Sequence, residues 1–236
     1  MTDPAAPGAR LVAAAVVVEL AREAGVGCVG VRRSNHAGPA SLYAAMPLAH
    51  GMVGIYSAVA SANHMAPWGG VDSLLGTNPP AIAVPAGTAP PVVLDIATTV
   101  VSYGTVKNHA LQSRPMPEGW MIDRRTGAPI TDAGRSAEGV LLPIGGHKGA
   151  GLALMLGLLA GTLNGAAVGR DVVNFNADDR GEANTGHFIL ALDIARFIDP
   201  AVFAAAVVQH LDELRGSARL PGVASIRLPG DERAHR

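Results

Sequence analysis

The sequence predicts an α+β fold in a single domain. Of the 236 residues, 49% are hydrophobic and 16% are charged, and this composition excludes a disordered or low-complexity chain. Apolar runs of strand length and of helix length follow one another without the strict alternation that is typical of a doubly wound sheet. No internal repeat or clean break divides residues 1–236, so we expect one domain.

Glycine and proline mark the element boundaries in the first half of the chain. Gly25 ends an amphipathic helix that begins near residue 11. Pro39 suits the first turn of a second helix, which Pro47 kinks or ends. The predicted elements are a helix over 11–24, a strand over 26–31, a helix after Pro39, strands over 52–60, 81–84 and 92–94 with a proline-rich turn between the last two, and a helix from Thr99.

The second half combines a loop-rich segment with two longer helices. Residues 113–140 contain several prolines and glycines and are expected to be mainly loop. Asp199 and Pro200 indicate a helix start, because an N-cap residue is followed by proline at the first helical position. The predicted elements are a long apolar helix from Gly149, a strand over 187–193, a helix over 200–215 and a strand-like segment over 226–228.

Composition and apolar patterning exclude several classes of protein. A formal net charge of -1 argues against a nucleic-acid partner, which requires clustered Lys and Arg.

The apolar stretches 11–18 and 149–168 are interpreted as packed helices, since the first runs into charged residues and the second lacks an aromatic belt. We therefore expect no membrane partner. Cys28 is the one cysteine, which fits a reducing compartment such as the cytoplasm. No Cys/His array has zinc spacing, so no metal site is predicted.

Two glycine segments invite comparison with nucleotide-binding turns. Residues 25–30 match G-x-G-x-x-G, but the predicted helix precedes and the strand follows, which reverses the order that the motif requires. We interpret them as a helix-to-strand turn. At 145–149, two glycines and Lys148 precede a long helix, which suits an anion. Phosphate binding and an ordinary glycine-rich helix start with a solvated lysine both stay open there.

Two further candidates follow predicted strands, where functional residues often gather. His36 carries the side chain best suited to proton exchange near neutral pH. A structural histidine that caps the next helix is the commoner role for an isolated histidine. Asp95 ends a later strand and is also compatible with a plain helix cap.

A series of short motifs runs along nearly the whole chain. They lie at 34–38 (SNHAG), 66–70 (APWGG), 76–79 (GTNP), 94–99 (LDIATT), 117–123 (PEGWMID), 141–149 (LLPIGGHKG) and 228–231 (LPGD). In this order they resemble the type-2 malate/L-lactate dehydrogenase family, which includes ureidoglycolate and sulfolactate dehydrogenases. The resemblance implies NAD or NADP bound on a mixed, largely antiparallel sheet with packed helices, a non-Rossmann fold, in a homodimer that acts on a small 2-hydroxy or 2-oxo acid.

The resemblance also implies roles for individual residues. His36 resembles the histidine that donates and accepts the proton in some members. Asp95 resembles an aspartate that orients a catalytic histidine and ends a cofactor-contacting strand. Lys148 resembles a lysine beside the cofactor phosphates. The other implied cofactor contacts are Ser61, Ile96, Ala97, Gly230, Asp231 and Glu232.

The chain departs from the family pattern, so two functions are expected. Members begin with a Ser-His-Gly segment and an arginine that help to bind the substrate carboxylate, and they continue into a helix after the position of Asp231; neither part is found here. Thr105 stands where a basic residue is usual, with Lys107 two positions on. The main expectation is an NAD(P)-dependent oxidoreductase in which imidazole exchanges the proton as hydride moves. The alternative is a truncated, catalytically impaired relative that binds nucleotide or acts as a partner subunit.

Overall fold

A five-stranded antiparallel sheet organises the part of the chain that the computed structural model describes, residues 9–175, 178 and 182–231. The helices are α1 Ala9–Ala24, α2 Ala40–Ala45, α3 Tyr103–Leu111, α4 His147–Ala160 and α5 Pro200–Arg215. The strands are β1 Val26–Ser34, β2 Met52–Ala58, β3 Pro80–Ala86, β4 Ala89–Asp95, β5 Met121–Asp123, β6 Gly139–Leu141 and β7 Thr185–Asp193.

The strand order places β7, the last strand of the described residues, inside the sheet. The order is β1-β7-β2-β3-β4, with each neighbouring pair antiparallel. His187 of β7 is opposite Val31 on one side and Ala58 on the other. The short strands β5 and β6 form a separate two-stranded ladder. These pairings confirm the predicted α+β class with its largely antiparallel sheet.

One face of the sheet is covered by α1 and α2, which pack closely because glycines lie beneath them. A Cβ added at Gly27 of β1 would lie 2.1 Å from the carbonyl oxygen of Val17 in α1. A Cβ at Gly54 of β2 would lie 2.0 Å from the carbonyl oxygen of Ala44 in α2. The apolar core between these layers includes Val17, Tyr43, Met52, Tyr56 and Ile189.

The opposite face carries α4 and the turn after it. A Cβ at Gly186 of β7 would lie 2.0 Å from the carbonyl oxygen of Ala160, the last residue of α4. Asn164, beyond the helix, donates from its side-chain amide to the carbonyl of His187 at 2.9 Å. The other side of α4 exposes apolar side chains, among them Leu154, Met155 and Leu158. No helix among the residues described is both long and apolar enough to cross a membrane.

Several element boundaries differ from the predictions, each for a local reason. The helix expected from Thr99 begins at Tyr103, because Thr98 and Thr99 are buried and their hydroxyls bond to backbone carbonyls. The strand-like segment 226–228 belongs to no strand, and the N–H of Leu228 is bound by the Asp231 carboxylate.

Several prolines and glycines that were expected in turns lie within strands. The prolines expected in the turn after residue 84 lie within β3 and β4, and the turn is reduced to residues 87–88. β4 lies at the edge of the sheet, and its register with β3 shifts between Val84 and Ala86, so these prolines fall at an edge and at an irregularity, where proline is tolerated. Of the glycines at 25–30, Gly25 forms the expected turn with a φ of 84°, whereas Gly27 and Gly30 lie inside β1.

Candidate active site

A cavity of about 370 Å³ opens beside the central strands of the sheet. Its walls come from the loop after β1, the end of β2 with its following loop, the first turns of α3 and the beginning of β7. The volume lies in the range of small-molecule sites. The side chains that give the cavity its chemistry are His36, Ser61, His64, Tyr103, Lys107 and His187.

His36 lies on the loop between β1 and α2 and is exposed at the cavity wall. Its Nδ1 accepts a hydrogen bond from the backbone N–H of Gly38 at 3.2 Å. The Phe175 ring lies near the imidazole, with 6.1 Å between ring centroids. Since Nδ1 is held by the loop backbone, Nε2 is the ring nitrogen that remains for a bound molecule.

Asp95 acts on the segment that carries His36. Its carboxylate accepts a hydrogen bond from the backbone N–H of Ser41, in the first turn of α2, at 2.9 Å. The hydroxyl of Tyr43 donates to the carbonyl oxygen of Ala37 at 2.9 Å. These two bonds hold the backbone that follows His36. Asp95 is not among the described residues that line the cavity with His36.

A buried tyrosine–histidine pair forms the inner wall of the cavity. The Tyr56 hydroxyl and Nδ1 of His187 lie 2.6 Å apart, and both residues are at most 1% exposed. The Tyr56 ring stacks against Tyr43 at 4.9 Å between centroids. Sequence reasoning treated His187 only as a strand residue. An ionisable side chain at an inward position of an apolar strand is the signal that would have singled it out.

A second stacked group also lines the cavity. The His64 and Tyr103 rings lie 3.6 Å apart between centroids and are within 11° of parallel. The ammonium group of Lys107 lies 5.6 Å from the centroid of the Tyr103 ring. Burial, together with the nearby positive charge of Lys107, lowers the pKa of His64 to about 4. His64 is therefore neutral near pH 7, and its isolated position in the sequence gave no sign of this contact.

Ser61 lies on the cavity wall and is 5% exposed. The loop that carries it is fixed by Asn78, whose side-chain oxygen accepts from the Ala60 N–H at 3.0 Å. The amide nitrogen of Asn78 donates to the carbonyl of Ala153 in α4 at 2.8 Å. Through this one side chain, the loop after β2 is joined to the helix behind it.

Lys148 is exposed in the first turn of α4 and is not among the described residues that line the cavity. The preceding turn needs its glycines, because Gly145 and Gly146 have φ values of 58° and 65°. This turn is joined to the cavity wall through Thr98. The carbonyl of Thr98 accepts from the Ile144 N–H at 3.0 Å, and its hydroxyl donates to the carbonyl of Thr77 at 2.8 Å.

Gly230 and Asp231 line a different groove, of about 730 Å³, between α2, β4 and α5. The Asp231 carboxylate accepts hydrogen bonds from the Leu228 N–H at 2.8 Å and from Arg215 at 3.1 Å. Ser41 also lines this groove. The segment that runs from His36 to Ser41 therefore separates the groove from the first cavity.

The remaining predicted contacts are placed as follows. Ile96 and Ala97 follow β4 and are half-buried, and the Ile96 N–H donates to the Pro80 carbonyl at 3.2 Å. Glu232 lies outside the described residues. The structure thus brings His36 and Ser61 to one cavity, places Asp95 behind the loop of His36, and puts Gly230 and Asp231 in the adjoining groove.

Comparison with known proteins agrees with this architecture. A family model described as malate/L-lactate dehydrogenase matches residues 6–236. The malate dehydrogenase of Pyrococcus abyssi is 37% identical over 229 residues, which cover 92% of this chain and 60% of the relative. The (2R)-3-sulfolactate dehydrogenase (NADP(+)) of Chromohalobacter salexigens is 36% identical over 218 residues, which cover 92% of this chain and 62% of the relative.

The fold is also similar to that of a solved dehydrogenase structure. The sulfolactate dehydrogenase from Methanocaldococcus jannaschii superimposes with a TM-score of 0.85 at 30% identity, covering 100% of this chain and 70% of that one. The chain spans about 60% of the length of the curated relatives reported above. The expected resemblance is confirmed, and the chain belongs to the malate/L-lactate dehydrogenase family.

Proposed function

We propose that the protein is an NAD(P)-dependent oxidoreductase that transfers hydride between a nicotinamide and a small 2-hydroxy or 2-oxo acid. The observation that carries the proposal is one cavity lined by an anchored imidazole, His36, by Ser61 and by a lysine, Lys107. The family relatives named as malate and sulfolactate dehydrogenases support the substrate class. We further propose that residues 1–236 form one NAD(P)-binding domain.

The residues present fit a dinucleotide. The cavity, of about 370 Å³, and the groove, of about 730 Å³, lie on either side of the His36–Ser41 segment, and we assign one nucleotide to each. At Gly38, which lies on this segment, an added Cβ would meet nothing within 4 Å. We assign the cofactor contacts to Ser61, Asp95, Ile96, Ala97, Lys148, Gly230, Asp231 and Glu232.

Residues of this chain exchange the proton with the substrate oxygen and hold the imidazole in position. A bound nicotinamide supplies or receives the hydride. In the reducing direction, the imidazolium form of His36 gives the Nε2 proton to the substrate oxygen, and in the oxidising direction the neutral form takes a proton back at Nε2. Both steps need a proton on Nδ1, so the contact of Nδ1 with the Gly38 N–H opens during turnover. Asp95 and Tyr43 fix the backbone after His36, so that the imidazole is held in position before substrate arrives.

Substitution of His36 tests the activity. His36→Gln should lower kcat for 2-oxo acid reduction by about 100-fold or more, because the proton donor is lost, and should leave the Kd for NADPH or NADH unchanged. Nicotinamide fluorescence gives the Kd, and nicotinamide absorbance gives the rate. His210→Gln, on the exposed face of α5, is the matched control. Equal rates in the wild type and His36→Gln would contradict the proposal. Nucleotide binding without turnover in the wild type would favour the impaired relative.

We also propose that the protein is a cytoplasmic homodimer. The exposed apolar side chains Leu154, Met155 and Leu158 on α4 support an association surface, and a lone cysteine fits a reducing compartment. Met155→Glu with Leu158→Glu should shift the sedimentation coefficient from dimer to monomer. A wild-type protein that sediments as a monomer would contradict the dimer.

A further inference from the structure

Phe175 places a half-exposed aromatic ring beside the imidazole of His36. The two ring centroids lie 6.1 Å apart, and the ring planes are tilted by 42°. Both side chains line the same cavity. Phe175 is 50% exposed, so the protein itself covers only part of its apolar surface. An apolar ring in such a position gains from contact with an apolar group of a bound molecule.

The segment between α4 and β7, which carries Phe175, is fixed by backbone contacts rather than by burial of the ring. At the base of this segment, the Ala167 N–H donates to the carbonyl of Asn184 at 3.0 Å. Nearer to the ring, the carbonyl of Gly169 accepts a hydrogen bond of 2.6 Å from the side-chain amide of Asn63. Asn63 belongs to the loop after β2, which forms part of the cavity wall. The segment is therefore joined to the cavity on the approach to Phe175.

The wall that Phe175 joins is mainly apolar. Among the described residues that line the cavity, none is Asp, Glu or Arg. Arginine is the side chain whose planar fork pairs best with a carboxylate. An acid group placed against the Phe175 ring would lose water without gaining a partner from that ring, which is unfavourable. The small apolar residues of the lining include Ala37, Ala58, Val59, Ala60 and Pro79.

We propose that Phe175 contacts the side chain on C2 of the substrate and selects an apolar side chain over an acidic one. This inference rests on the proposed function, because that reaction brings the C2 oxygen to Nε2 of His36. The carbon that bears this oxygen also bears the substrate side chain, which therefore lies within reach of the ring beside the imidazole. Malate and sulfolactate, which appear in the names of two relatives, each carry a second acid group. This chain should instead prefer acids with an alkyl side chain.

Two hydroxy acids of similar shape test the proposal without turnover. In 2-hydroxy-4-methylpentanoate, an isopropyl group replaces the second carboxylate of malate. With NADH and NADPH in excess and no oxidised nicotinamide present, neither acid reacts, and calorimetry gives both Kd values. The wild type should bind the methylpentanoate at least about tenfold more tightly than malate, as is usual for an apolar contact of this size. Phe175→Ala should weaken methylpentanoate binding by about tenfold and leave the malate Kd unchanged, whereas Phe175→Leu should keep the preference.

Phe197→Ala is the matched control. Phe197 is 67% exposed and is not among the described residues that line the cavity, so this variant should keep the wild-type ratio of the two Kd values. Three results overturn the inference: a wild type that binds malate as tightly as the methylpentanoate, a Phe175→Ala protein with an unchanged ratio, or binding of neither acid.

Kinetics separates this inference from the proposed function. If the binding preference depends on Phe175 while the wild type reduces no 2-oxo acid, the apolar contact stands and the proposed reaction falls. If the wild type reduces oxaloacetate with the same kcat/KM as 4-methyl-2-oxopentanoate, the reaction stands and the role of Phe175 in selection falls.

Discussion

The carboxylate of Asp95, at the end of β4, accepts a hydrogen bond of 2.9 Å from the backbone N–H of Ser41 at the start of α2. This bond joins an edge of the sheet to the segment that carries His36. A carboxylate at the first turn of a helix satisfies an N–H that lacks an intrahelical partner. The position of the imidazole therefore depends on a residue that does not line its cavity.

Asp95→Ala should lower the free energy of unfolding by about 1–2 kcal/mol, because a charged cap of the α2 N–H is lost. It should also lower kcat/KM, since the His36 segment is released at one end. Asp199→Ala is the matched control: Asp199 caps α5, accepting from the Ala201 N–H at 2.7 Å. Urea unfolding measures the free energy of unfolding, and steady-state kinetics measures kcat/KM. A similar loss of kcat/KM in the two variants would contradict a positioning role for Asp95.

His64 should make stability depend on pH below neutrality. Its pKa is about 4 in the folded state and 6.5 when unperturbed, so the unfolded chain binds more protons between these values. The free energy of unfolding is therefore unaffected by His64 above pH 6.5, and it decreases as the pH falls from 6.5 toward 4. The loss is up to about 3 kcal/mol at 1.36 kcal/mol per pKa unit, and solvent screening of this partly exposed ring reduces it.

Urea unfolding at pH 7.0 and 4.5 measures this dependence. His64→Phe keeps the stack on Tyr103 and should lose less stability than the wild type between the two values. In Lys107→Gln, the pKa of His64 should rise, because one of its two lowering causes is removed; the imidazole proton resonance follows it directly. Parallel pH profiles for the wild type and His64→Phe would contradict the assignment.

Tyr56→Phe should lower the free energy of unfolding by about 1–3 kcal/mol, since the buried Nδ1 of His187 loses its hydroxyl partner while the ring stacking is kept. Tyr43→Phe is a useful comparison, because its hydroxyl donates to the partly buried carbonyl of Ala37. Thermal and urea unfolding compare the two. A Tyr56→Phe protein within about 0.5 kcal/mol of the wild type would show that the pair contributes little.

Gly186→Ala should destabilise the protein by about 3 kcal/mol or more, because the added Cβ would meet the Ala160 carbonyl at 2.0 Å and force α4 away from β7. Gly151 lies within α4, and a Cβ there meets nothing within 4 Å. Gly151→Ala should therefore stabilise by about 0.5–1 kcal/mol. Urea unfolding measures the two changes in the free energy of unfolding, which should have opposite signs. Destabilisation by Gly151→Ala would contradict the open space described around Gly151.

Local signals in the sequence predicted most elements of the fold. Gly25 ends α1, and Asp199 with Pro200 begins α5, as the caps and glycine indicated. The apolar alternation from His187 predicted β7 to within two residues. Thr99 misled the prediction, because a threonine hydroxyl that satisfies backbone groups in a buried loop has the same local sequence as one that caps a helix.

The site could be predicted only where a residue carried its own signal. His36 stood out by its type and its place after a strand. The contacts of Tyr56 with His187 and of His64 with Tyr103 join segments that are distant in the chain. Nothing in the sequence of either segment specifies its partner, since strand order and loop packing decide which side chains meet.

The central position of β7 has a consequence for synthesis of the chain. β1 and β2 are completed early by the ribosome, yet β1 has no ladder, and β2 has only its ladder with β3, until the strand that begins at Thr185 is made. Until then, the nascent polypeptide holds unpaired strand edges on β1 and β2, and the apolar helix α4 lacks its contact with β7. Such non-local closure slows folding and leaves exposed edges for chaperones to cover. The native sheet therefore forms after most of the chain has left the exit tunnel.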